Sequence, residues 1–239
     1  MWFKQPLPYA LASTALAISS SLCPSPAQAQ TSISGDASGI FVNPLPTGAV
    51  TSGSGTSEFS FGDPATFGTG ANRFSFEALP FDTQTETDFL IGTFTYFNGT
   101  TTSGSQIDSV DLQIGLDFLA PAAGLETSTF GLEVISTINT SDPDASADAV
   151  LLPSSFSPTT FSLGGTEFTL QLLGFDNVIG DGFLTSTNTR LNVREGAEAS
   201  AQLIGRVTSD IPDVPEPMSL LALVGLIPVG SRLLRRQPV

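Results

Sequence analysis

The chain has 239 residues, 40% hydrophobic and only 13% charged, with 23 acidic side chains against 8 basic and a formal net charge of −15. It has no histidine and one cysteine, which excludes a Ser-His-Asp triad, histidine metal ligands and an internal disulfide. That length suits one sizeable domain with targeting segments, or two small domains.

The charge is more lopsided than the total suggests. Lys4, Arg232, Arg235 and Arg236 lie near the ends, as does the acid Glu216. The middle keeps 22 acids against Arg73, Arg190, Arg194 and Arg206, about −18, and has no lysine. Such a body repels phosphate backbones and anionic lipid, so a nucleic-acid partner is not expected. Divalent cations, basic partners or plain solubility fit the charge.

Residues 1–29 read as a secretory signal peptide. Lys4 gives a positive start, and Leu7–Leu22 is an apolar run too short to span a bilayer comfortably. Ala27 and Ala29 place small residues at the −3 and −1 positions, so export by the Sec machinery and cleavage by signal peptidase before Gln30 are expected. Cys23 follows Leu22, and a bulky residue there argues against lipidation. Removal of this segment leaves a body with neither cysteine nor tryptophan, since Trp2 goes with it.

Residues 30–213 are rich in Gly, Ser, Thr, Asn and Phe and read as one all-β domain. The clearest strand is Ser109–Phe118. Val110, Leu112, Ile114, Leu116 and Phe118 alternate there with Ser109, Asp111, Gln113, Gly115 and Asp117, one face for a core and one for water. Phe130, Leu132 and Val134 continue the pattern after an expected loop at 120–127. Further strands are expected at Glu58–Phe61, Asn72–Leu79, Phe89–Phe97, Glu167–Leu173 and Thr189–Arg194. Glu195–Val207 has helix-like composition, but Ala197, Ala199, Ala201, Leu203, Gly205 and Val207 alternate, and glycine weakens a helix, so a strand is expected. Asn98-Gly99 suggests a type I′ turn. Phe59/Phe61 and Phe74/Phe76 share a spacing of two, which assigns them to a core face. Many short strands with Gly, Pro and Asn between them predict an antiparallel, jelly-roll-like β-sandwich.

Residues 214–239 form a distinct tail. Val214-Pro215-Glu216-Pro217 precedes an apolar run, Met218–Ser231, and then Arg232, Arg235 and Arg236. As a helix, Met218 to Leu234 would be about 25 Å long. That is short of the ~30 Å hydrocarbon core, a mismatch that snorkelling arginines can absorb. The basic end favours a cytoplasmic C-terminus.

This tail resembles the PEP-CTERM sorting signal of Gram-negative-type bacteria: motif, transmembrane helix and Arg-rich end in order. The resemblance implies recognition by an exosortase, transient inner-membrane residence, and delivery to the cell surface or extracellular matrix. It also implies a link with extracellular polysaccharide. The body is similar to the choice-of-anchor K domain of bacterial surface proteins. The similarity rests on Gly39–Asn43, Phe59–Pro64, Gly92–Thr100, the Val110–Phe118 strand, Asn139-Thr140 and Ser146–Val150. It implies fold and location and brings no activity.

Few residues suggest chemistry. Asp142, Asp144 and Asp148 could supply oxygen ligands to calcium, which needs several such atoms converging at about 2.3–2.6 Å. The competing reading is a solvated turn in which Asp and Ser side chains bond their own backbone. Asp176, Asn177 and Asp181, beside Gly180 and Gly182, form a weaker second candidate. Neither follows the EF-hand pattern. No catalytic residue is assigned and no resident cofactor is expected apart from that calcium.

The leading expectation is a non-catalytic envelope or matrix protein, associated with exopolysaccharide by analogy. The alternative is a calcium-dependent carbohydrate- or protein-binding module. A glycoside hydrolase ranks last, because abundant acids make some carboxylate pairs inevitable.

Overall fold

The computed structural model describes residues 30–153 and 158–209. The chain order is β1 (Ser32–Leu45), β2 (Thr51–Ser52), β3 (Glu58–Phe61), β4 (Asn72–Ala78), β5 (Pro80–Gln84), β6 (Asp88–Phe97) and β7 (Ser109–Ala120). There follow β8 (Gly124–Ile135), β9 (Asp148–Leu151), β10 (Thr159–Leu163), β11 (Thr166–Ile179), β12 (Phe183–Thr187), β13 (Arg190–Val193) and β14 (Glu198–Ser209). Among the described residues no helix is long and apolar enough to cross a membrane. The expected signal peptide, with Ala27 and Ala29, lies outside the described residues, and so does the whole tail from Val214 to Arg236.

The strands make two seven-stranded sheets, ordered β12-β13-β9-β8-β7-β1-β5 and β10-β11-β14-β6-β4-β3-β2. Their pairings are antiparallel. The all-β class and the two-sheet sandwich expected from the sequence are therefore found. β7 shows why: Val110, Leu112, Ile114, Leu116 and Phe118 are all buried, while Asp117 is exposed. β14 behaves likewise, burying Ala199, Ala201, Leu203, Gly205 and Val207, so alternation overrides its helix-like composition.

Phenylalanine joins the sheets. Phe41 of the first sheet lies 6.0, 5.8 and 6.3 Å, ring centre to ring centre, from Phe59, Phe74 and Phe94 of the second. Towards the other end, Phe118 of the first sheet stacks 5.3 Å from Phe161 of the second. Such pairs add about 0.5–1.5 kcal/mol each beyond the area they bury. The spacing-two pairs Phe59/Phe61 and Phe74/Phe76 are all core residues.

Two expectations and one omission need correction. The loop at 120–127 is much shorter, because β8 starts at Gly124, which pairs with Phe118 in a tight β7–β8 hairpin. Asn98-Gly99 is not a type I′ turn. Neither residue has positive φ, and β6 is flanked by β14 and β4, with no hairpin to the next strand. Asn98 is instead a buried side chain whose amide is used for bonding. The third is an omission: β1 was not expected, although it is among the longest strands. Its core face contains Gly35 and Gly39, where a Cβ would sit 2.2 Å from Asp117 O and 2.2 Å from a Phe76 ring carbon. Glycine is needed for that close approach, and it removes the hydrophobic alternation by which strands are read.

The strand ends define two poles. At one, Thr31 N–H donates to Thr85 Oγ1 (3.0 Å), Thr85 N–H to Thr31 O (2.9 Å) and Glu86 N–H to Val207 O (2.8 Å). Ser209 N–H donates to Glu86 Oε1 (3.2 Å). The first and last described strands thus meet at the β5–β6 turn, and we call this the exit pole. The opposite, loop pole gathers residues 46–50, 62–71, 98–108, 136–147 and 194–197. Register places it there: Leu45 faces Ser109, Ile135 faces Ala149, and Gly196 N–H donates to Asn98 O (2.7 Å).

Candidate functional site

Chemistry-bearing side chains concentrate at the loop pole. Beneath its loops lies a buried polar knot: Tyr96 and Asn72 fully buried, Asn98 and Asp148 each 1% exposed. The Tyr96 hydroxyl stands 3.4 Å from Asn72 Oδ1, 3.4 Å from Asn98 Oδ1 and 3.5 Å from Asp148 Oδ2. One phenolic proton therefore faces three acceptor oxygens. Asn72 Oδ1 also receives Gly99 N–H (2.8 Å), but its Nδ2 has no partner among the described residues.

Asn98 Nδ2 donates to Val193 O (2.9 Å) and Ser146 O (3.4 Å), linking the end of β6 to β13 of the other sheet and to the 139–147 loop. Asp148, at the start of β9, accepts from Thr137 N–H (2.7 Å) and from Thr137 Oγ1 (3.3 Å) on one oxygen. Burial pushes its carboxyl up to about 6, against those two bonds, and the negative Glu195 adds to the rise. Burial also raises Tyr96 well above its ordinary value, and the neighbouring Asp148 charge raises it further. The phenol thus stays protonated at any physiological pH.

The first calcium candidate falls into three separate roles. Asp142 Oδ1 accepts the backbone N–H of Asp144 (3.0 Å) and Ala145 (3.4 Å), an Asx turn. Its carbonyl accepts the Ser146 hydroxyl (2.9 Å) and Ser146 N–H (3.1 Å). Asp144 pairs with Arg194 Nε at 2.7 Å on the surface. Asp148 is inside. The structure does not bring the three carboxylates together. Among the described residues no group of three Asp, Glu, Cys or His side chains is placed to hold a metal ion.

The second candidate is also dispersed. Asp176 Oδ1 accepts the neighbouring Asn177 N–H (2.8 Å), and Asn177 has positive φ (44°). At Asp181 it is the carbonyl that is used, accepting Arg194 Nη1 (3.2 Å).

Sequence reasoning passed over a groove of about 720 Å³ on the loop pole, between residues 101–108 and 134–139 with Pro46 beside them. Ile107 and Val134 are buried at its base, and Ile138 is 86% exposed at its edge. Its polar wall is pre-arranged. Gln106 Nε2 donates to Thr101 Oγ1 (2.7 Å), the Ser136 hydroxyl bonds Gln106 Oε1, and Asn139 Nδ2 donates to Thr101 O (3.3 Å). No pattern along the chain marks this site, because its two walls are about thirty residues apart and meet only through the sandwich. Asn139, named above only among the segments that carry the family similarity, is one of its side chains.

No family model matches the chain, and no curated protein matches it either.

Proposed function

We propose that this protein is an exported, non-catalytic β-sandwich of the cell surface or extracellular matrix, sorted by an exosortase through its C-terminal tail. The observation that carries the reading is the ordered tail itself: Pro215-Glu216-Pro217, the apolar run from Met218, and Arg232, Arg235 and Arg236 at the end. On this reading the tail holds the chain transiently in the inner membrane after signal peptidase has acted before Gln30. The exosortase then cuts near the motif and the body moves outward.

The fold supports this reading in one respect. Thr31 and Ser209 both bond to the Thr85–Glu86 turn, so both ends of the described body lie at the pole opposite the loops. We read the sandwich as jelly-roll-like, since the chain passes repeatedly between sheets, and as a choice-of-anchor K type of domain on the segments named above.

The test is replacement of Pro215-Glu216-Pro217 by alanines, with fractionation and mass spectrometry of the termini. The expected result is a chain that begins at Gln30, keeps its tail and accumulates in the inner membrane. Unchanged release and processing would overturn the reading.

A further inference from the structure

We propose that the loop-pole groove binds a short stretch of a neutral saccharide. The wall contains no lysine or arginine, and its one charged side chain is Asp108. Phosphate, sulfate and uronate groups would find no counter-charge there and would be repelled. Ile138, 86% exposed at the edge, and the exposed Pro46 beside it offer contact to the C–H face of a sugar ring, while Ile107 and Val134 lie buried beneath. The surrounding groups are hydroxyls, amides and one carboxylate. The lining mixes a few apolar side chains with a larger number of polar ones, and about 720 Å³ falls within the usual size range of a small-molecule site.

The bonding inventory separates a saccharide from a peptide. A peptide strand binds chiefly through free backbone groups along an open sheet edge, and the strand in this wall, the end of β8, has β7 on one side and β9 on the other. Asp108 N–H donates to Leu45 O (2.7 Å), Val134 N–H to Asp108 O (2.8 Å) and Ser105 N–H to Thr102 O (3.2 Å). Thr137 N–H donates to Asp148. Side-chain capacity is open as well: the Asp108 carboxylate, the Ser103 hydroxyl and Asn139 Oδ1 have no hydrogen-bond partner among the described residues. A carboxylate can accept two neighbouring hydroxyls at once, and a serine hydroxyl can donate and accept. The Thr101–Gln106–Ser136 chain holds the wall in place before binding, which limits the ordering cost.

This inference rests on the export reading only in that it supplies the setting where such polymers occur. Binding itself is measured on the purified full chain, so its failure is separate from a failure of sorting. The probes are maltotetraose, cellotetraose and mannotetraose. Polygalacturonate and oligolysine serve as the acidic and basic comparisons, and the readouts are titration calorimetry and amide NMR shifts. We expect at least one neutral tetrasaccharide to bind, with shifts confined to residues 101–108 and 134–139. Asp108→Asn and Asn139→Ala should each weaken it by about tenfold without lowering the melting temperature by more than a few degrees. Three outcomes would overturn the proposal: no shift with any neutral saccharide at millimolar concentration, binding of oligolysine alone, or saccharide binding indifferent to both substitutions.

Discussion

Asn98 at the end of β6 donates 2.9 Å to the carbonyl of Val193 at the end of β13, a hydrogen bond from one sheet of the sandwich to the other. The same amide reaches Ser146 O, so one buried side chain joins both sheets and the 139–147 loop. Asn98→Ala leaves two carbonyls without this donor, and each buried unsatisfied group costs about 1–3 kcal/mol. Denaturant melts should show a loss of about 2–3 kcal/mol. Asn98→Asp should be at least as damaging, since a carboxylate cannot donate to either carbonyl and would sit near Asp148. A melt within experimental error of wild type for both would show that the knot contributes nothing.

Gly39 touches the opposite sheet through the Phe76 ring, 2.2 Å from where a Cβ would lie. Gly39→Ala should therefore push the sheets apart and cost about 1–3 kcal/mol or more by overpacking. The obstruction is a side chain, so Gly39→Ala combined with Phe76→Leu should recover part of the loss, which a double-mutant cycle measures. Gly35→Ala should have no such rescue, because its obstruction is the backbone carbonyl of Asp117. Equal rescue at both positions would contradict this distinction.

Asp148 makes stability depend on pH. Its folded-state value of about 6 lies above the ordinary 3.8. The folded state therefore binds the proton more tightly than the unfolded chain does. Its contribution is complete below about pH 3.8 and is lost as pH rises through 6, about 3 kcal/mol in total. Asp148→Asn, which keeps the shape and carries no charge, should flatten that part of the curve. Repulsion among the other acids falls in the same direction on acidification, so the difference between the two proteins at each pH is the quantity to compare. Parallel curves for both between pH 4 and 7.5 would count against a raised Asp148.

Calcium gives a further check. Asp142 and Asp144 are engaged with the loop backbone and with Arg194, so millimolar calcium should leave the melting temperature unchanged. A rise of several degrees that disappears in Asp142→Ala would show that the loop rearranges around the ion.

The strands were legible where side-chain chemistry follows the pleat. β7 alternates along its whole predicted length, and β14 alternates strongly enough to overrule its alanines and glutamates. β1 was invisible because its core positions include Gly35 and Gly39, where the space belongs to Asp117 and Phe76. Asn98 was misread for a related reason: Asn-Gly is a turn signal by local preference, and the deciding partners, Val193 and Ser146, lie far along the chain. The three aspartates looked like one cluster because they are close in sequence. The start of β9 then carries Asp148 inward while Asp142 and Asp144 stay outside. The groove had no sequence signature at all, since neither wall means anything without the other.

The meeting of Thr31 and Ser209 at the Thr85–Glu86 turn also separates connectivity from packing. A short linker from residue 209 back to residue 31 would close the chain into a ring. New ends could then be opened in an exposed stretch of the loop pole such as Ser103-Gly104, without interrupting a strand. The sandwich should tolerate such a permutation, with its original strand ends joined and new ends emerging beside the groove.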